Sequence, residues 1–211
     1  MKVDPKTLSK SQVYKLLISA VIPRPIALVS TIGENGFVNV APFSFFGGIS
    51  SKPPIIYISI DRKRDGDKKD TLKNIEYSGD FVVNIVTENI AEKMNICAVD
   101  FPFGVSEAEF AGLTPVASEI VKSPRIAESP INLECKVLKI VELGDSPNSV
   151  VFGEVVLFHI KDEVFEDGVV NPMKLKVIGR LGGNFYTRVD NIFEMKRMSY
   201  GEFKQIYGLG D

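Results

Sequence analysis

Short runs of branched and aromatic residues alternate with turn signals along the first third of the chain. Residues 26–32 and 37–41 have the composition of β-strands. Gly33-Glu34-Asn35-Gly36 lies between them, and its Asn-Gly pair tolerates the positive φ of a tight hairpin turn. Residues 55–60 predict a third strand after the break at Lys52-Pro53-Pro54. The pattern therefore predicts antiparallel strands joined by short turns.

Three further strands are predicted from the apolar pattern of the rest of the chain. Residues 81–86 form a short apolar run, and residues 131–137 alternate apolar and polar side chains. Residues 150–160 are apolar on both faces, so this strand should be central or covered on both sides. No G-x-G-x-x-G links a strand to a long helix, so a Rossmann dinucleotide site is not indicated.

Short helices are predicted between these strands from capping residues and glycine stops. Asp70 is expected to cap a helix that Gly79 ends, and Thr87 is expected to cap a second helix. A capping box at Ser106–Glu109 predicts a third short helix that ends at Gly112. Hairpin-linked strands with short helical insertions indicate a mainly β fold, a closed or nearly closed barrel rather than a doubly wound sheet.

Length and composition limit the class of protein. With 211 residues, 45% of them hydrophobic, the chain can bury a core as one domain. We assign residues 1–211 to that domain, with a core of about 20–190 and a C-terminal extension of 191–211. A net charge of −2 provides no general attraction for nucleic acid.

Cysteine usage and hydropathy indicate a cytoplasmic protein. The two cysteines, Cys97 and Cys135, have no CxxC spacing, which favours small buried residues in a reducing compartment over a disulfide framework. No apolar run reaches the roughly 18 residues of a membrane span, and the charged N-terminal segment is unlike a signal peptide. We therefore expect neither membrane insertion nor secretion.

The single histidine, His159, limits the chemistry that side chains can perform. A zinc site would need an unusual ligand set, and a Ser-His-Asp triad could use only this histidine. His159 lies inside the apolar run of residues 150–160, and the chain has no G-x-S-x-G elbow. Metal-centred or triad hydrolysis is therefore disfavoured, and His159 is expected to be a hydrogen-bonded core or interface residue.

The first candidate binding segment begins in the second predicted strand. It consists of Asn39, Val40, Ala41, Pro42, Phe43 and Ser44. Pro42 has no backbone donor and is expected to end the strand. The amides, hydroxyl and rings that follow it could lie along a flat, partly polar ligand. A bulged strand end with core aromatics is the alternative interpretation.

A second candidate segment combines cations, hydroxyls and a predicted helix start. Its members are Ser59, Asp61, Arg62, Lys68, Lys69, Asp70 and Thr71. Such groups bind phosphate, above all where Lys69-Asp70-Thr71 opens a helix. A solvated charged loop with an ordinary helix cap is the alternative interpretation.

Arg24 is the third candidate, because Pro23 and Pro25 stiffen the backbone on both sides of it. A guanidinium held in this way can bind a phosphate or a ring oxygen through two hydrogen bonds. A surface arginine in an extended entry segment is an equally good interpretation.

The order and spacing of these segments matter more than any one of them. In that order and spacing the chain resembles the flavin reductase-like, FMN-binding split-barrel family, which includes flavoredoxin. The resemblance extends over residues 21–186, most of the chain. The motifs that carry it are Pro23–Ser30, Asn39–Phe46, Lys69–Thr71, Phe81–Asn84, Gly104–Glu107 and Gly179–Tyr186.

This resemblance implies a Greek-key split β-barrel that forms a homodimer, with FMN in a groove near the subunit interface. The residues from Asn39 to Ser44 would then line the isoalloxazine and the ribityl chain. The phosphate end would be approached by Ser59, Asp61, Arg62, Lys69, Asp70 and Thr71, with help from Arg24. Tyr186 would close the site from its own or the neighbouring subunit.

The implied activity is hydride transfer from NADH or NADPH to bound FMN, and electron transfer from there to an acceptor. No catalytic side chain and no metal are predicted. An electron carrier reduced by a protein partner is the alternative, and a barrel that binds another ligand is a third hypothesis. A histidine approaches the nicotinamide in some relatives of the fold, which keeps a second role open for His159.

Overall fold

The computed structural model describes residues 1–102, 104–145 and 147–208. Its strands are β1 (Ala27–Ile32), β2 (Val38–Phe43), β3 (Phe46–Ser51), β4 (Pro54–Ile60), β5 (Asp80–Ile85), β6 (Pro115–Val116), β7 (Arg125–Ile126), β8 (Ile131–Leu143), β9 (Asn148–Ile160), β10 (Phe165–Glu166), β11 (Val169–Val170), β12 (Ile178–Arg180) and β13 (Tyr186–Arg188). Residues 209–211 of the predicted C-terminal extension lie outside the described residues.

Helices connect and flank these strands. They are α1 (Lys10–Ala20), α2 (Asp70–Ser78), α3 (Ala91–Ile96), α4 (Glu107–Ala111), α5 (Pro172–Leu175) and α6 (Tyr200–Tyr207), with 3-10 turns at Pro5–Thr7, Glu88–Ile90 and Asp162–Val164. Within the described residues, no helix has both the length and the apolar character needed to cross a membrane.

One seven-stranded antiparallel sheet has the order β2-β1-β5-β8-β9-β4-β3. Its two edge strands, β2 and β3, are consecutive in sequence, and only Ser44 and Phe45 separate them. At this corner the amide of Ser59 on β4 donates to the carbonyl of Phe45 at 2.8 Å. The sheet must therefore curl until its edges meet at one end, although β2 and β3 do not pair with each other. The predicted mainly β barrel with short helical insertions is confirmed.

Both faces of β1 and β5 are covered, which explains why these strands read as continuous apolar runs. Ala27 and Val29 of β1 belong to the core inside the barrel, together with Phe81 of β5. Leu28, between them, belongs to a second core on the outside of the sheet, where it packs with Met94 of α3 and other buried residues. β9 lies between β8 and β4, the central position predicted for residues 150–160.

The two cysteines are buried free thiols, as predicted. Cys97 packs in the outer core and Cys135 packs inside the barrel. Burial raises the pKa of the Cys97 thiol to about 12, so this side chain stays protonated at neutral pH.

The predicted glycine stops are confirmed, whereas the predicted caps are not. Gly79 and Gly112 end α2 and α4 in the left-handed conformation, with φ values of 73° and 62°. Asp70 is the first residue of α2 and Lys69 occupies the cap position, while the Asp70 carboxylate pairs with Lys63 at 2.6 Å. The predicted capping box at Ser106–Glu109 does not form, because Ser106 makes no side-chain cap bond. Thr87 likewise makes no such bond and precedes a 3-10 turn.

The prediction that Pro42 ends its strand is wrong. β2 continues to Phe43, and Pro42 lies opposite Leu28 of β1. A proline is tolerated at this position because an edge strand has one side with no hydrogen-bond ladder to complete. The structure also contains a strand that was not predicted: β3 includes Gly47 and Gly48, just before the predicted break at residues 52–54.

His159 forms a side-chain hydrogen bond, as expected for a histidine inside an apolar strand. Its Nε2 lies 2.6 Å from Oε1 of Glu134, a fully buried carboxylate. Glu134 also accepts the backbone N–H groups of Glu119, Ile120 and Val121 at 2.8, 2.7 and 3.1 Å. His159 therefore helps to hold the loop that follows β6, because it binds the same carboxylate that accepts three backbone N–H groups of that loop.

Gly153 provides a test of packing inside the barrel. An added Cβ at Gly153 would lie 2.6 Å from Cζ of the fully buried Phe81. We therefore expect Gly153→Ala to lower the free energy of unfolding by about 1–3 kcal/mol through overpacking. The matched control is Gly48→Ala on β3, where no atom lies within 4 Å of the added carbon. In urea unfolding, the free energy of unfolding of Gly48→Ala should equal or slightly exceed that of the wild type. An equal decrease in both variants would contradict the proposed overpacking at Gly153.

Candidate functional site

Three cavities meet at the barrel corner, where β2 leads into β3, and Pro42 and Phe43 line all three. The first cavity has a volume of about 420 Å³, the second about 460 Å³ and the third about 180 Å³. We refer to the three together as the groove. The two larger cavities are each within the range of roughly 300–1,000 Å³ that is usual for small-molecule sites.

The N-terminus of α2 opens into the first cavity. Lys69, Asp70 and Thr71 all line this cavity, and Lys69 also lines the second. Lys69 occupies the N-cap position of a nine-residue helix and makes no side-chain cap bond. Lys63 and Arg64 also line this cavity; Lys63 is paired with Asp70, which leaves Arg64 as the second cation beside Lys69. The helix dipole, the first-turn amides and the two cations together favour an anion at this point.

A buried polar network supports the wall of the first cavity. Oε2 of Glu107 accepts the backbone N–H of Val40 at 2.9 Å. The Asn39 amide satisfies both neighbours when its nitrogen donates to Glu107 Oε1 at 3.1 Å and its oxygen accepts from Thr71 Oγ1 at 2.9 Å. Burial raises the pKa of the Glu107 carboxyl, and the hydrogen bond from Val40 offsets part of that effect. The network thereby joins β2 to the start of α2 and to α4.

Arg24 stabilises the side of the groove where α1 ends, without itself lining any of the three cavities. Its guanidinium donates to the carbonyls of Ile18, Val21 and Leu181 at 2.5, 2.8 and 3.0 Å. Its Nε reaches the groove only through Oγ of Ser44, at 3.3 Å. Burial lowers the pKa of Arg24 from its ordinary value. In the described structure Arg24 therefore anchors the end of α1, and its direct contact with a ligand stays a prediction.

Helix α1 is a wall of the groove that the sequence-based prediction missed. Val13, Tyr14 and Leu17 line the second cavity, and Tyr14 also lines the third. The signal that could have revealed this helix is the pair Ser9 and Gln12. These two residues form a reciprocal capping box at the start of α1.

Comparison with known proteins assigns the family. The family model described as flavin reductase like domain matches residues 19–175, well over half of the chain. This chain belongs to the flavin reductase-like family. Members of the family bind flavin, and in this chain the groove is bordered by Pro42 and Phe43 of β2 and by the N-terminus of α2.

Two solved structures are similar to this chain over nearly its whole length. Nitrilotriacetate monooxygenase component B from Bacillus cereus is 36% identical, with a TM-score of 0.89 over 92% of this chain and 98% of that protein. The 2-nitrobenzoate 2-nitroreductase of Pseudomonas fluorescens is also 36% identical, with a TM-score of 0.86 over 95% and 98% of the two chains.

A third solved structure identifies the fold. A flavin reductase with a split barrel domain from Shewanella frigidimarina is 21% identical, and its TM-score is 0.82 over 94% of this chain and 100% of that one. The predicted split-barrel fold and the predicted family are thus confirmed.

Among the predicted flavin-binding residues, Arg62 and Val40 lie away from the groove. Nε of Arg62 donates to the Pro147 carbonyl at 3.1 Å, and the guanidinium pairs with Glu142. Arg64, two residues later, lines the first cavity in its place. Val40 is fully buried in the outer core, and its N–H is bound to Glu107. Tertiary partners already occupy polar groups of both residues in the described structure, and their contact with flavin stays a prediction.

The remaining predicted residues do lie around the groove. Asn39, Ala41, Pro42, Phe43, Lys69, Asp70 and Thr71 line the first cavity, and Ser44, Ser59 and Asp61 line the second. Tyr186 lines the third cavity within its own chain, and the Arg180 guanidinium lies 4.4 Å from its ring centroid. The segment from Cys97 to Phe101 and the carboxylate of Glu107 also line the first cavity, and neither was predicted as part of the site.

Glu107 gives a prediction on pH dependence. Because burial raises the folded-state pKa above the ordinary value of 4.5, the wild type should lose stability as the pH rises from that value through the folded-state pKa. We expect Glu107→Gln to lack this loss, which urea unfolding between pH 4.5 and pH 8 can measure. Glu109→Gln, an exposed change on the same helix, controls for removing one carboxylate from α4. If the free energy of unfolding of the wild type and of Glu107→Gln depended on pH in the same way, the folded state would not raise the pKa of Glu107.

Proposed function

We propose that this flavin reductase-like protein binds FMN in the groove and acts as an NADH- or NADPH-dependent flavin oxidoreductase. The observation that carries the proposal is the position of Lys69, whose side chain borders both large cavities at the N-terminus of α2. A phosphate at that point would leave the rest of an elongated ligand to extend along β2. We also propose that the protein works as a cytoplasmic homodimer.

The phosphate end of FMN is proposed to lie against the first turn of α2. Lys69 and Arg64 would supply positive charge, and Thr71 would supply a first-turn amide. Asp70 would not repel the phosphate strongly, because its carboxylate is paired with Lys63 at 2.6 Å. The Thr71 hydroxyl already donates to the Asn39 amide oxygen at 2.9 Å, so the backbone N–H of Thr71 is the group that would donate to the phosphate.

The ring system is proposed to lie along the strand from Ala41 to Ser44. Pro42 and Phe43 offer an apolar surface to one face, and both line every cavity of the groove. Ser44 and Ser59 offer hydroxyls at the barrel corner. Tyr14 of α1 and Tyr186 of β13 stand at the third cavity, where they would limit the access of water to the ring.

Bound flavin supplies the redox chemistry, because it accepts a hydride and passes electrons on. The protein groups bind, orient and exclude water. No side chain is assigned as acid or base: His159 is hydrogen-bonded to Glu134, and Glu107 is committed to Val40 and Asn39. The two close structural neighbours support the redox assignment, since one is named a monooxygenase component and the other a nitroreductase.

The phosphate assignment predicts the effect of removing one cation. Lys69→Ala should weaken FMN binding by about 1.5–3 kcal/mol, the usual contribution of a charge-assisted hydrogen bond. Titration followed by flavin fluorescence measures the change in Kd. Lys68→Ala is the matched control, because Lys68 is paired with Glu76 at 2.6 Å instead of lining the groove. Unchanged FMN binding by Lys69→Ala would refute this placement of the phosphate.

The reductase assignment predicts rapid reduction by a nicotinamide nucleotide. Anaerobic mixing of the FMN-loaded protein with NADH or NADPH should bleach the visible flavin absorbance within the time of a stopped-flow experiment. Protein mixed with buffer alone is the control. An FMN-loaded protein that neither nucleotide bleaches would instead be an electron carrier that a protein partner reduces.

A further inference from the structure

A polar cavity lies apart from the groove, where β7 and the loop after it approach the start of β8 and the end of β9. Its volume is about 410 Å³, close to that of the two larger cavities of the groove. It shares no lining residue with any of the three groove cavities. We call it the β8–β9 cavity, and the proposed flavin chemistry does not use it.

The wall of the β8–β9 cavity is positively charged. Arg125 and Lys161 line it, and none of the described residues that line it is aspartate or glutamate. Nε and Nη2 of Arg125 donate to the Ala117 carbonyl at 3.3 and 3.1 Å, whereas Nη1 donates to no described residue. Lys161 is exposed and forms no ion pair within the part of the chain that the structure describes. Two such cations on one wall of a chain with a net charge of −2 favour an anion.

The carboxylates near this wall contact His159, which also lines the cavity. Its Nε2 lies 2.6 Å from Glu134 Oε1, and its Nδ1 lies 3.8 Å from Glu119 Oε1. Neither carboxylate lines the cavity, and Glu134 is fully buried behind it. The two acids are therefore directed to His159, and Arg125 and Lys161 keep their charge available on the wall.

Asn132 gives the same wall an acceptor whose direction is fixed. The residue is only 5% exposed, and its Nδ2 donates to Asn84 Oδ1 at 2.8 Å and to the Ile126 carbonyl at 3.1 Å. Asn84 is itself held, because its Oδ1 accepts the Ile126 N–H at 2.8 Å and its Nδ2 donates to the Leu28 carbonyl at 2.9 Å. Both hydrogens of the Asn132 amide are therefore used, and the amide cannot turn over without losing two bonds.

The oxygen of this amide is open to the β8–β9 cavity. Within the described residues, no group donates to Asn132 Oδ1, and the one sealed side-chain polar atom without a partner is Ser149 Oγ. Asn132 Oδ1 is therefore not sealed, and the cavity that Asn132 lines is the space into which it opens. A nearly buried acceptor of this kind favours a ligand that brings a hydrogen-bond donor.

We propose that the β8–β9 cavity binds a small hydroxycarboxylate. Arg125 and Lys161 bind its carboxylate, and its hydroxyl donates to Asn132 Oδ1. Phe158, a half-exposed ring, and the buried Pro130 also line the cavity and suit the carbon skeleton of a single-ring acid. An amino acid would place an ammonium group beside two cations, so it fits this wall less well. The inference goes beyond the proposed flavin chemistry and does not depend on it.

Isothermal titration calorimetry of the full chain with para-hydroxybenzoate tests the ligand class. We expect it to bind about tenfold more tightly than benzoate, which lacks the hydroxyl that Asn132 would accept. Lys161→Gln should weaken para-hydroxybenzoate at least tenfold, because it removes one of the two cations. Lys139→Gln is the matched control, an exposed change on β8 outside the cavity. No binding, equal affinity for the two acids, or the same loss in both lysine variants overturns the proposal.

The ratio of the two affinities tests the role of Asn132. In Asn132→Ala the two acids should bind within about twofold of each other, whereas Lys161→Gln should weaken both and keep the tenfold preference. A partly unfolded variant would lower both affinities by the same factor, so the ratio separates a lost contact from a lost fold. Circular dichroism checks that each variant is folded. A full tenfold preference in Asn132→Ala would overturn the assignment of the hydroxyl.

The groove variant Lys69→Ala separates this site from the flavin site. Because Lys69 does not line the β8–β9 cavity, Lys69→Ala should bind para-hydroxybenzoate as the wild type does. This result is expected whether or not FMN titration finds a flavin site in the groove. A tenfold loss in Lys69→Ala would place the acid in the groove and overturn the proposal.

Discussion

The meeting of the two sheet edges at Ser44 and Phe45 is the constraint on which the site depends. Because β2 and β3 are consecutive strands at opposite edges, the chain can connect them only if the whole sheet curls. Curling brings the end of β2 beside Ser59 on β4 and the start of α2. A groove with an apolar strand on one side and a helix N-terminus on the other follows from this closure, so the fold and the site have one physical origin.

Buried polar groups then make this corner specific. Glu107 binds Val40 and Asn39, Asn39 binds Thr71, and Arg24 binds three carbonyls near Ser44. Each of these groups would cost free energy if it were buried without a partner, so the groove walls have few alternative arrangements. The same requirement decides which residues remain available to a ligand. Lys69 borders two cavities, whereas Arg62 is bound to Pro147 and Glu142.

Much of the fold could be predicted because local signals and tertiary structure agree there. Gly79 and Gly112 end their helices in a conformation that glycine adopts without strain, and the apolar run of residues 150–160 became the central strand. Predictions failed where a partner distant in sequence decided the outcome. Pro42 stayed in its strand, opposite Leu28 of β1, because that strand lies at an edge of the sheet.

The sequence by itself determined six strands of the seven-stranded sheet, the family and most of the segments that border the groove, because these depend on side-chain type and order along the chain. Only the tertiary structure decided which polar group in each segment faces the groove. That choice depends on hydrogen bonds across long sequence separations, as between Arg24 and Leu181. Neither propensity nor spacing encodes such a bond in a form that can be read locally. For the same reason α1 and Glu107 entered the site only when the chain was folded.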